Sequence, residues 1–177
     1  QYRSFLRFYP THPKAEFAAF RVGLSSFKDI PAAQFFLPPQ YEKDQSEAQT
    51  ALSQFRQFLE SYPKSAFADE ARRMIVECED KLAAHELYVA EFNLSRGKWK
   101  GVQLRVDTLV RKYPTSTLVK DGLLLAIEAG AKLGDAASAK DALERLRSLE
   151  PAAPPAMVAK GEALVAGISA PVDPGTK

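Results

Sequence analysis

Cysteine is almost missing from this chain: Cys78 stands alone, so no internal disulfide can form. Met74, Ile75 and Leu82 surround it at helical spacing, which marks it as a small buried hydrophobe rather than a reactive thiol. One cysteine suits the cytosol and equally the periplasm, since an oxidising compartment does not oblige a large core to use disulfides. Histidine is as scarce. His85-Glu86 begins like the helical zinc-protease motif, but the second ligand would fall on Val89, and the other histidine, His12, lies far off between Thr11 and Pro13. No metal site is expected, and His12 reads as a structural or solvated corner residue. Phosphate-cradling glycine loops and the Gly-x-Ser-x-Gly elbow are absent too. No apolar run approaches the roughly 20 residues that span a bilayer. Neither sign of charge dominates: the formal net charge is +2, with Lys and Arg interspersed among Asp and Glu, so no basic stripe points to nucleic acid. The carboxylates spread over polar helix faces, where they are expected to be solvated or weakly paired. Trp99 and the tyrosines occupy corners and apolar faces that favour packing over base stacking. The sequence therefore predicts no catalytic residue, no cofactor and no enzyme.

Repetition is what the chain does have. FLRFYPTHP runs from Phe5 to Pro13, FRQFLESYPKS from Phe55 to Ser65 and LVRKYPTST from Leu109 to Thr117, with a looser LRSLEP from Leu146 to Pro151. Each phrase reads as a helix ending. Leu52, Phe55, Phe58, Leu59 and Tyr62 fall on one helical face, as do Val102, Val106, Leu109, Val110 and Tyr113. Proline then stops the helix, because it lacks an N–H and restricts the residue before it. Ser65, and one of Thr115, Ser116 or Thr117, are candidate N-caps for the helix that follows. Pro10 to Pro63 is 53 residues, Pro63 to Pro114 is 51 and Pro114 to Pro151 is 37. The last is close to the roughly 34-residue tetratricopeptide period of two antiparallel helices.

The fold class expected is all-α, a tetratricopeptide-like α-solenoid of antiparallel helix pairs over residues 1–150. Its units are 1–10 (partial), 11–63, 64–114 and 115–150, followed by a short helix and flexible tail over 151–177. Within the last unit a helix runs from about Thr117 to Leu133, Gly134-Asp135 turns, and a second helix ends near Leu149. Ala126, Gly130 and Ala137 are small enough for close approach. From Ser65 to Gly97 there is neither Gly nor Pro inside the stretch, which predicts one helix of about 30 residues or two nearly collinear ones. Gly97 reads as its left-handed stop, with Trp99 packed in the corner. Lys14 to Phe27 is helical by periodicity. Ile30 to Glu47 has prolines and no sustained period, so it reads as a long loop. Its Phe35, Phe36 and Leu37 either fold back on the array or contact a partner. Ala156 to Ala166 reads as a short helix and Pro171 to Lys177 as a frayed tail. Tyr2, Phe5, Leu6 and Tyr9 already have helix spacing, so the chain is expected to start inside an element, with residues preceding Gln1.

The order FLRFYPTHP, Gly23, a Phe-Phe insertion, FRQFLESYPKSAFADEA, DKLAAHELYVAEFNLSRGKWKGV and RVDTLVRKYPTS resembles the BamD family, tetratricopeptide-type lipoproteins of the outer-membrane β-barrel assembly machinery. The resemblance covers about Phe5 to Leu149, and its most specific piece is Leu82 to Trp99. It implies a scaffold on the periplasmic face of the bacterial outer membrane, held by an N-terminal acylated cysteine that Cys78 cannot be. Membrane contact would pass only through that anchor. Implied partners are the POTRA region of the central barrel subunit, bound chiefly by C-terminal repeats, and accessory assembly lipoproteins and unfolded outer-membrane proteins, received by N-terminal repeats. Carried over by position, the interface arginines are Arg105 and Arg111, which otherwise read as a solvated helix face. The substrate candidates are Phe17, Phe20, Phe35 and Phe36, which otherwise read as core. Two rival readings stand beside this one: another periplasmic tetratricopeptide adaptor, for peptidoglycan or cell division, and a cytosolic hydrolase with a cryptic site.

Overall fold

The computed structural model describes residues 1–30 and 45–168, and these form eight helices with no strand among them. They are α1 (Tyr2–Phe8), α2 (Ala15–Lys28), α3 (Ser46–Ser61), α4 (Ala68–Ser95), α5 (Trp99–Lys112), α6 (Val119–Leu133), α7 (Ala136–Arg147) and α8 (Pro155–Ala166). The stretch between Ser65 and Gly97 is one helix of 28 residues, about 42 Å long at the standard rise. The loop residues Phe35, Phe36 and Leu37 and the tail from Pro171 lie outside the described residues. The chain is all-helical and tetratricopeptide-like.

Two kinds of turn alternate, and each follows from its sequence. The Tyr-Pro corners end α1, α3 and α5. Tyr9, Tyr62 and Tyr113 have φ/ψ of −132/59, −134/60 and −128/56 degrees. Each donates its N–H to the carbonyl four residues back, on Phe5, Phe58 and Leu109, at 2.8, 2.8 and 2.9 Å. Proline at the next position forces the tyrosine out of the α region, and this one shared conformation is the result. The fourth phrase does not join them: α7 ends on Ser148 at φ/ψ −86/0, since no proline follows directly to expel that residue from the helical basin.

The glycine turns end α4 and α6. Gly97 and Gly134 have φ of 67 and 70 degrees, a region that disfavours side chains. After Gly97, Lys98 N–H donates to Asn93 O and Gly97 N–H to Leu94 O. After Gly134, Asp135 N–H donates to Gly130 O and Gly134 N–H to Ala131 O. Both are Schellman closures, which satisfy carbonyls that the helix end would otherwise leave open. Asp135 then caps α7 by accepting the Ser138 N–H at 3.0 Å.

The described residues group into two compact units. The first holds Gln1–His85 and Thr115–Thr117; the second begins with Glu86–Pro114 and resumes at Leu118. Aromatic rings build much of the first core. Phe20 stacks on Phe67 at 5.0 Å between centroids and meets Phe58 at 5.7 Å and Phe55 at 6.0 Å. Phe55 is fully buried, and a Cβ on Gly23 would stand 2.8 Å from its ring, so only glycine leaves room for it there. The second core is aliphatic and alanine-rich, with Val102, Val106, Leu109, Leu123, Ile127 and Leu146 buried. Small residues set its spacing, as the sequence predicts for Gly130: a Cβ there would meet backbone atoms of Ala139 at 3.0 Å. Burial of each such large apolar side chain contributes about 1.5–3 kcal/mol, which is why packing rather than propensity holds these helices.

Candidate interaction surfaces

The most ordered polar geometry grips corners. Glu79 on α4 is 1% exposed, yet both of its carboxylate oxygens have partners. Its Oε1 accepts from Arg56 of α3 at 2.6 Å, and its Oε2 accepts the Thr115 N–H and Oγ1–H, both at 2.7 Å. Asp80 continues the grip, accepting from Ser116 Oγ at 2.7 Å, Thr117 N at 2.7 Å and Thr117 Oγ1 at 3.0 Å. A corner carries free N–H groups because its backbone has left the helix, and a carboxylate is their strongest acceptor. The second corner has a lighter version: Ser65 Oγ accepts the Phe67 N–H at 3.0 Å and donates to Glu16. In the first corner His12 takes the serine's place, its Nδ1 accepting the Lys14 N–H at 3.0 Å while its ring meets Phe5 edge-on.

The expectation that the carboxylates lie solvated on polar faces therefore fails for Glu79, and for Glu86, which is 9% exposed. The signal was present. Ile75, Glu79, Leu82, Glu86 and Ala90 follow one helical stripe, so the two acids occupy apolar-face positions.

Among the site residues expected from the sequence, Arg105 and Arg111 both lie on α5 but in different settings. Arg105 Nη1 donates to Glu86 Oε2 at 3.1 Å, with the guanidinium side chain 41% exposed. Arg111 is exposed in the last turn, beside Lys112. Leu104, one residue before Arg105, is 66% exposed and shares a helical face with Arg111, an apolar residue on the polar side of α5. Sequence reasoning missed it, since a lone leucine gives no signal until its face is known.

The aromatic candidates of the first unit separate as well. Phe20 is buried within the core, whereas Phe17 is 42% exposed. Arg21 lies over the rings of Tyr2 and Phe17 at 5.7 and 5.8 Å. Phe8 and Tyr9 are exposed at the end of α1, a helix with no buried residue. Leu6, Pro10, Ala19, Val22 and Phe58 line a cleft of about 240 Å³ in this unit together with Gln54 and Gln57. Phe35 and Phe36 lie outside the described residues.

Cys78 is fully buried, and burial first, then the neighbouring Glu77 charge, pushes its thiol up to about 12. Almost no thiolate exists at neutral pH, and the thiolate is the reactive form. Among the described residues no group of three His, Cys, Asp or Glu side chains could hold a metal, and no helix is long and apolar enough to cross a membrane.

Helix pairs joined by one recurring corner, with polar networks spent on holding turns, define a helical-repeat protein of tetratricopeptide type. Residues 1–146 match the family model YfiO, described as outer membrane lipoprotein, and the chain belongs to that family. The outer membrane protein assembly factor BamD of Haemophilus influenzae is 30% identical over 140 residues, covering 78% of this chain and 53% of that protein. BamD of Vibrio cholerae is 28% identical over 147 residues, covering 82% and 59%. BamD of Xylella fastidiosa is 30% identical over 149 residues, covering 83% and 51%. The chain thus spans about half the length of these curated relatives. Its family is one of non-enzymatic outer-membrane assembly factors.

Proposed function

We propose that this chain is part of a scaffold on the periplasmic face of the outer membrane that docks the POTRA region of the central β-barrel assembly subunit. On this reading it also helps deliver unfolded outer-membrane proteins and contacts accessory assembly lipoproteins, and an N-terminal lipid anchor tethers it. The repeat units bounded at Pro10, Pro63 and Pro114 are its binding modules. The observation that carries the docking site is the exposed Leu104 on the face of α5 that also presents Arg111, with Arg105 fixed beside it by Glu86. An exposed apolar side chain flanked by arginines is the composition of an interface centre, where arginine is enriched and a few residues hold most of the affinity. On the substrate side, Phe17, Phe8 and Tyr9 offer exposed rings in the unit that also holds the cleft, which fits an extended segment rich in aromatic residues. Phe20 supports that surface from beneath.

Purified chain and an immobilised POTRA fragment test the docking site. Leu104→Glu with Arg111→Glu is expected to weaken binding by roughly tenfold or more, with unchanged far-UV circular dichroism. Arg105→Glu is expected to weaken it as well. Undiminished binding by the Arg105→Glu, Arg111→Glu double variant removes the arginines from the site.

A further inference from the structure

The α4–α5 hairpin tip has a composition that neither its packing nor the docking site explains. Residues 92–106 contain no Asp or Glu, yet they include Arg96, Lys98 and Lys100. All three cations are exposed. Among the described residues none of them is in an ion pair, although such pairs form elsewhere, as between Arg56 and Glu79 and between Arg147 and Glu162. The carboxylate nearest in sequence is Glu91, more than a helical turn before Arg96. Two aromatic rings accompany the cations. Phe92 is 47% exposed, with the Arg96 guanidinium 5.2 Å over its ring. Trp99 is half-buried, its indole lying 3.6 Å from where a Cβ on Gly97 would stand.

The tip is built to hold its shape. Asn93 O accepts the N–H groups of both Arg96 and Lys98, at 3.2 and 2.9 Å. The Asn93 side chain closes against Gly101, at 3.1 Å from a Cβ placed there. A backbone fixed in this way adds little ordering entropy of its own to the cost of binding.

We infer that this tip, Phe92 to Lys100, docks on an anionic phospholipid surface. Three unpaired cations complement lipid phosphate. The phenylalanine and tryptophan of the same tip are suited to the headgroup boundary, where aromatic rings and long cationic side chains settle together. Each Lys or Arg near a negatively charged bilayer adds a modest attraction, so the contact is weak and reversible and orients a protein already held at the membrane. An outer membrane lipoprotein family supplies that setting. The inference rests on the tip's charge and rings and on family membership, and is independent of POTRA docking.

Vesicle co-sedimentation of the full chain tests it, with phosphatidylcholine vesicles containing phosphatidylglycerol against phosphatidylcholine alone. Binding is expected only to the anionic vesicles and is expected to fall steeply with salt. The Arg96→Glu, Lys98→Glu, Lys100→Glu variant is expected to bind them roughly a hundredfold more weakly. A control reversing Lys64, Lys132 and Lys160, all exposed, carries the same net charge and is expected to keep most of the affinity. Phe92→Ser is expected to weaken binding while leaving the salt dependence in place. Equal loss in the control, equal binding to both vesicle types, or capture of polyglutamate without binding to anionic vesicles would each overturn the inference.

Discussion

The first and third Tyr-Pro corners share a backbone and little else. Tyr9 and Tyr113 differ by only a few degrees in each torsion, yet Tyr9 is 59% exposed and Tyr113 is 8% exposed. The first corner is closed by one imidazole at an exposed site, whereas Glu79 and Asp80 hold the backbone and hydroxyls that follow Pro114. The tyrosine and proline thus dictate the turn, and the neighbours dictate how firmly it is held. A repeated phrase encodes local geometry reliably because both of its causes are local. Stability comes from partners distant in sequence.

The contrast can be broken from its strong side first. Glu79→Ala removes the acceptor of Arg56 and of the Thr115 N–H and hydroxyl, and is expected to cost about 3 kcal/mol, below the upper range for a buried pair because Arg56 is half-exposed. In thermal melts that is a fall of roughly 6–12 °C, and a change near zero would mean that the third corner stands without its grip. Ser65→Ala in the second corner loses the acceptor of the Phe67 N–H and the bond to Glu16, and about 1 kcal/mol is expected in urea denaturation. The smallest effect belongs to His12→Ala, about 0.5 kcal/mol, since the site is exposed and water replaces the acceptor. His12→Ser sharpens the comparison: it places the second corner's accepting residue in the first, and is expected to stay within about 0.5 kcal/mol of the parent. A large loss there would show that the ring contact with Phe5, rather than the hydrogen bond from Lys14, is what matters.

The helices and both turn types were legible in the sequence because their causes lie within a few residues: the stripe of Leu52, Phe55 and Phe58, the prolines, and glycine after α4 and α6. The Asp135 cap lay just beyond Gly134, at a position read only as a turn. Glu79 and Glu86 were misjudged, because residue type outweighed position: both stand on the buried stripe of α4, and their partners lie 23, 36 and 19 residues away. The interaction surfaces were least legible. Phe17 and Phe20 look alike in the sequence, and only packing against Phe55, Phe58 and Phe67 puts one inside and leaves the other half in solvent.

The tyrosines before Pro10, Pro63 and Pro114 share one backbone conformation, but the rods that lead to them differ in length: α1 has 7 residues, α3 has 16 and α5 has 14. Bend and span are therefore separate degrees of freedom. Whole turns can be added to or removed from a rod without touching the tyrosine and proline that set the bend at its end.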